Sequence, residues 1–153
     1  MPYAETTEQL WDRVIAVNLT GTHHMIQSLL PLLSGRGWGR IINYSSASTF
    51  EGVADQVPYV AAKAGVIGLS RSVARVVGGL GITVNIIAPG LTETPPVKQS
   101  LPPEMLQSQV GVRAVQRVEV ADDLVGATFF LASPDADFIS GQTIVVDGGK
   151  YML

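Results

Sequence analysis

The sequence contains no cysteine, which excludes disulfide stapling and thiolate chemistry. It is also poor in charge, with 15% charged residues and a formal net charge of -3 against 46% hydrophobic residues. That balance argues against disorder, and it supplies no cluster of Lys and Arg for nucleic acid or an anionic membrane. So little charge further implies that part of the surface is meant to be covered, by additional chain or by partner subunits. No apolar run approaches the roughly 20 residues that cross a bilayer. Met1–Glu5 lacks the basic-then-apolar order of a secretion signal. A soluble, cytoplasmic protein is expected, with neither membrane nor nucleic acid as a partner.

What is present is an alternation of helix-like and strand-like segments with no internal repeat and no Gly/Ser linker. Thr6-Thr7-Glu8-Gln9 has the spacing of a capping box, with Thr6 as the expected cap. From Leu10 through Val14, Val17, Ile26 and Leu29 to Leu33 an apolar face recurs at helical spacing. The Gly-rich stretch 35–39 ends it, and the β-branched run from Arg40 to Ser45 predicts a buried strand. After a polar loop, Pro58 opens a helix to Val77 that is apolar nearly all round, with Gly78 and Gly79 as its stop. Residues 82–87 form a second strand signal, closed by Ala88-Pro89-Gly90. Residues 94–103 predict a mobile loop or short helical flap. Asp122 or Asp123 starts a further helix through Leu131, and Thr143–Val146 is the third strand, turned out by Asp147-Gly148-Gly149. The order predicts a single α/β domain over residues 1–153, with about three parallel strands. The first of these strands would expose an apolar edge, so the pattern matches half of a doubly wound sheet.

The strongest chemical signal is Tyr59-Val60-Ala61-Ala62-Lys63. Residues four apart share a helix face, so phenol and ammonium meet one cavity. A nearby cation favours phenolate, which suits Tyr59 to move a proton to or from an alcohol oxygen. The plainer alternative is a tyrosine at a helix start and a solvated lysine. Ser46 lies thirteen residues earlier, just past a strand end, where ligands bind in open α/β sheets. Its hydroxyl can stabilise charge developing on a carbonyl oxygen, or merely satisfy loop amides, as Ser45 and Ser48 are expected to do. Asn18 interrupts an apolar helix and is either a structural amide or a holder of relay water. Pro89-Gly90, followed by Thr92 and Thr94, leaves backbone and hydroxyl groups at a second strand end for a flat polar ring, unless it is an ordinary turn. His23 and His24 have no third ligand candidate, so no metal site is expected.

The order Asn18, Ser46, Tyr59-x-x-x-Lys63, Pro89-Gly90-Leu91-Thr92-Glu93-Thr94 and Gly141 to Gly149 resembles the short-chain dehydrogenase/reductases over about residues 8–149. The resemblance implies a Rossmann-like fold and an NAD- or NADP-dependent oxidoreductase that interconverts a carbonyl and a secondary alcohol. It implies Tyr59 as general acid/base, Lys63 on the nicotinamide ribose, Ser46 on the substrate carbonyl and Asn18 on a relay water. Pro89, Gly90, Thr92 and Thr94 would face the nicotinamide. It also implies a homo-oligomer, dimer or tetramer, joined through the helices that carry Asn18 and Tyr59.

The family's strand, Gly-rich turn and helix for the cofactor pyrophosphate have no counterpart here. The Gly35–Gly39 stretch precedes a strand, whereas a phosphate loop follows one and opens a helix. The sequence therefore corresponds to the C-terminal, catalytic half of such a protein, and alone it is expected to lack independent activity. The alternative is a truncated, catalytically inactive remnant that serves as an oligomerisation or interaction module.

Overall fold

Residues 82–89 are β-branched or apolar at nearly every position, and the chain buries that run on both faces, as the central strand of a parallel sheet requires. The computed structural model describes residues 2–152. Its helices are α1 (Glu8–Ile15), α2 (Gly21–Leu33), α3 (Ser48–Glu51), α4 (Val57–Val77), α5 (Pro95–Ser100), α6 (Pro103–Ser108) and α7 (Val125–Ala132). The strands are β1 (Gly39–Tyr44), β2 (Ile82–Pro89), β3 (Thr92–Glu93), β4 (Glu119–Val120) and β5 (Thr143–Val146). Strands β1, β2 and β5 form a parallel sheet in that order, with Ile41 beside Val84, Tyr44 beside Ile87, and Pro89 beside Val146. The three strands agree with the sequence expectation, and the chain has the α/β architecture of one half of a Rossmann-like sheet.

Strand alternation sorts the core into two faces. Ile82, Val84 and Ile41 pack with Val73 and Val77 of α4 and with Leu30 and Leu33 of α2. Ile42, Ile87, Ile144 and Val146 point the other way, onto Leu124, Ala127 and Leu131 around α7. Helices α2 and α4 thus cover one side and α7 the other. Among the described residues no helix is long and apolar enough to cross a membrane.

Several boundaries differ from the sequence expectation, each for a local reason. Thr7, not Thr6, caps α1: its side chain accepts from Leu10 N at 3.2 Å, while Thr6 closes the preceding 3-10 turn Tyr3–Glu5. The long first helix is not continuous, because residues Ala16–Thr20 wind as one π-helical turn between α1 and α2. Helix α4 ends at Val77 with Gly78 as its C-cap, as expected, but neither Gly78 nor Gly79 reverses the chain. These two only tighten the helix into a 3-10 turn, and Gly81 takes the left-handed conformation with φ 74°. A side chain there would also meet the Gly37 carbonyl oxygen, at 2.1 Å from an ideal Cβ, so two turns touch backbone to backbone. Residues 121–124 form a 3-10 turn before α7 begins at Val125. The flap holds two short helices, α5 and α6, each opened by prolines that suit a first helical turn. The parallel pairing of β3 with β4 has no sequence signal, since each strand is two residues long.

Candidate active site

The site gathers at the C-terminal ends of β1, β2 and β5. Past the end of β1 the ladder continues, with Ser45 N donating to Ile87 O and Ala47 N to Pro89 O, both at 2.8 Å. Ser46 is thereby pinned beside Pro89. Gly90 N donates to Val146 O at 2.9 Å, which joins the end of β2 to that of β5.

Helix α4 is fixed in rotation against β1 by buried polar contacts. Asn43 Nδ2 donates to Ser70 Oγ at 2.8 Å, and Ser70 Oγ donates onward to Val66 O at 2.7 Å. Ser45 Oγ donates to Lys63 O at 2.8 Å, and in return Lys63 Nζ donates to Tyr44 O at 3.0 Å. A buried polar group without a partner costs about 1–3 kcal/mol, so the buried Asn43–Ser70 bond favours one helix rotation over the others. That rotation brings the Lys63 ammonium to 5.7 Å from the centre of the Tyr59 ring. Burial pushes the Lys63 pKa down from the ordinary lysine value.

Ser46 Oγ accepts from Ser48 N at 3.2 Å and from Ser48 Oγ at 2.9 Å. With its lone pairs occupied, its own proton has no acceptor among the described residues and is available to a ligand oxygen. Lys63 likewise spends one of its three N–H groups on Tyr44 O.

Asn18 lies inside the π turn. Its Nδ2 donates to Val14 O at 3.0 Å, and its backbone carbonyl accepts from Thr22 Oγ1 at 2.9 Å. The side-chain amide is therefore turned onto its own helix. The π turn packs close to α4 at Gly65, where an ideal Cβ would stand 2.8 Å from Leu19 Cδ2. Thr94 Oγ1 caps α5, accepting from Val97 N at 3.4 Å, and Thr92 Oγ1 donates to Glu119 Oε1 at 2.7 Å. His23 and His24 are exposed on α2, their rings 5.6 Å apart.

Sequence reasoning missed Asn43, Ser70, Arg113 and Glu119. Asn43 carries the same signal as Asn18, a polar side chain in an apolar run, while Ser70 stands among other polar residues. Arg113 and Glu119 lie in a stretch with no periodicity, and they form an ion pair of 3.0 Å with side chains only 2% and 4% exposed. Burial raises the Glu119 pKa, against the hydrogen bond from Thr92 and the charge of Arg113, which lower it.

The chemistry of this donor set fits the nicotinamide end of a dinucleotide: a lysine with spare N–H groups and a serine with a free proton sit beside a Pro-Gly strand end. Among the described residues no Gly-rich turn follows a strand and opens a long helix to hold a pyrophosphate.

Comparison with known proteins agrees with this architecture. Residues 1–150 match the family model described as Enoyl-(Acyl carrier protein) reductase. The chain is 39% identical over 150 residues to an acetoacetyl-CoA reductase of Rhizobium meliloti, covering 97% of this chain and 62% of that protein. It is 41% identical over 145 residues to a 3-oxoacyl-(acyl-carrier-protein) reductase of Staphylococcus aureus, covering 95% of this chain and 58% of the other. A crystal structure of a 3-oxoacyl-(acyl-carrier-protein) reductase with bound NAD from Brucella melitensis superposes with a TM-score of 0.89 at 32% identity, covering all of this chain and 56% of that one. The chain spans about three fifths of the length of the curated relatives it matches.

Proposed function

The chain belongs to the short-chain dehydrogenase/reductase family, and from that premise we propose that it serves the reduction of a carbonyl to a secondary alcohol, or the reverse, with a nicotinamide cofactor. The observation that carries this reading is the clasp between β1 and α4, in which Ser45 holds Lys63 O and Lys63 Nζ holds Tyr44 O. It ties Lys63 to the end of β1, next to Ser46 in the chain, with the centre of the Tyr59 ring 5.7 Å from the Lys63 ammonium, which supports a shared role for the three.

In the reductive direction Ser46 donates its unused proton to the carbonyl oxygen, stabilising the negative charge that grows there. The cofactor, when bound, supplies the hydride to the carbonyl carbon. Tyr59 gives its phenolic proton to the same oxygen, leaving an alcohol and a phenolate. Lys63 holds that phenolate by its charge and offers its spare N–H groups to the ribose. Pro89, Gly90, Thr92 and Thr94 would line the nicotinamide side, and Asn18, whose Oδ1 accepts no bond among the described residues, would hold a water that returns the proton to Tyr59. The substrate class is a 3-oxoacyl thioester, as for the acetoacetyl-CoA and 3-oxoacyl-(acyl-carrier-protein) reductases that the chain resembles.

Nicotinamide fluorescence during NADH and NADPH titration, followed by turnover of acetoacetyl-CoA, tests this. In a preparation that binds cofactor and turns over, with the phosphate-holding half supplied, the expected result is a loss of turnover of about 10²–10⁴-fold in Tyr59→Phe, with cofactor affinity retained. Equal turnover in the variant would overturn the proton-transfer role. No binding of either cofactor by this chain alone would mean a catalytic half whose chemistry is not available without the phosphate-holding half.

A homo-oligomer is part of the proposal. Val17, Met25, Leu29 and Leu32 recur at helical spacing and are exposed along the π turn and α2, with Val17 at 68% and Leu32 at 64%. A stripe of that kind is what a partner helix covers.

A further inference from the structure

We propose that the buried Arg113–Glu119 ion pair is a positioning device that holds the turn Gly90–Thr92 in place. Its link to catalysis rests on the reading above, that this turn faces the nicotinamide. Three hydrogen bonds close a ring around two adjacent residues. Thr92 Oγ1 donates to Glu119 Oε1 at 2.7 Å, Arg113 Nη2 donates to Glu119 Oε2 at 3.0 Å, and the same nitrogen donates to Leu91 O at 3.1 Å. Gly90 lies directly on the pair: an ideal Cβ there would stand 2.5 Å from Glu119 Oε2 and 3.0 Å from Arg113 Nη2. The turn can therefore shift neither toward the pair nor away from it without breaking a charge-assisted bond.

Two features argue that stability is not what the pair supplies. Burying two charges costs free energy that apolar residues of similar volume would not, and removing such a pair entirely is often neutral. Arg113 Nε is also buried with no partner among the described residues, a defect that a purely stabilising contact would not keep. The backbone alone is a weak hold, since β3 and β4 pair over only two residues, Thr92 with Glu119 and Glu93 with Val120. Directional bonds from a rigid guanidinium and a carboxylate supply the missing constraint.

The test uses the whole chain and two variants. Glu119→Gln alone strands a buried Arg113 charge and risks misfolding. The double variant Arg113→Met with Glu119→Leu keeps volume without charge, so it separates folding from positioning. Amide hydrogen exchange in the protein without cofactor is read at Thr92 and Glu93, with Ile86 in the sheet as the internal standard. In the double variant the expected result is exchange about tenfold or more faster at Thr92 and Glu93, with Ile86 unchanged. Unchanged exchange at Thr92 and Glu93 would overturn the proposal. In a preparation with the phosphate-holding half supplied, so that ADP-ribose binds, affinity for NADH and for ADP-ribose, which lacks the nicotinamide, then tests the link to the cofactor. An affinity loss of about tenfold for NADH with ADP-ribose unaffected supports both readings. Faster exchange without that discrimination upholds the positioning role and rejects the nicotinamide assignment of the turn.

Discussion

Lys63 occupies a place where an ammonium is poorly solvated, and its ordinary pKa of about 10.4 is lowered on folding by that burial. Between the lowered value and the unfolded one, the unfolded chain binds more protons, so the contribution of this group to stability rises with pH across that window. Below the window the full penalty of burying the charge applies. Lys63→Met, which keeps the stem and removes the charge, is therefore expected to melt no lower than the parent at pH 7 by circular dichroism. The gap between the two should narrow as pH rises toward the unfolded lysine value. A midpoint several degrees lower in the variant would mean that the bond to Tyr44 O outweighs the burial cost. At this scale the sequence was legible wherever the relation is local. Tyr59 and Lys63 share a helix face by spacing alone, whereas the bonds from Asn43 to Ser70 and from Ser45 to Lys63 O join residues far apart in the chain. No spacing rule reaches across that distance.

Between β4 and α7 the chain turns on one carboxylate. Asp123 accepts from Val120 N at 2.9 Å and takes both arms of the Arg117 guanidinium, at 2.5 and 2.6 Å. The Arg117 hydrogen bonds, then the Val120 amide, hold the Asp123 pKa down to about 2. A carboxylate with a lowered folded pKa contributes stability above its unfolded value, near 4, and loses it as pH falls through the folded value. Asp123→Ala should therefore melt below the parent at neutral pH, and the two curves should converge as pH falls from about 4 to about 2. A gap that persists below pH 2 would assign the effect to packing. Asp123 was legible as a helix-start signal, but the turn it closes was not, because the first α-helical residue waits until Val125. The π turn around Asn18 was equally hidden. One extra residue in a helical turn changes no apolar spacing strongly enough to read, yet such turns recur at functional sites.

The whole molecule leaves more apolar surface outside than one core needs. Besides the stripe on α2, Phe129 of α7 is 75% exposed and Val76 of α4 is 73% exposed. The low charge content pointed to covered surface, while its location became legible only once the sheet had fixed which helix faces turn outward. Light scattering on the whole chain is expected to give a mass of at least twice 16.2 kDa, and Leu32→Arg should shift the population toward the monomer by burying an unpaired charge in the stripe. A monodisperse monomer in the parent would refute assembly through this surface.

The bonds from Ala47 N to Pro89 O and from Gly90 N to Val146 O tie together strand ends that lie 42 and 56 residues apart along the chain. Long loops must close before such contacts form, which places them late on the folding route. Helix α4 is local, and its circular dichroism signal can return early during refolding. The ligand pocket has no such early version, because no strand end can shape it alone. Recovery of ligand binding after dilution from denaturant therefore acts as a clock for the last crossover, and it should lag the helical signal in every refolding trace.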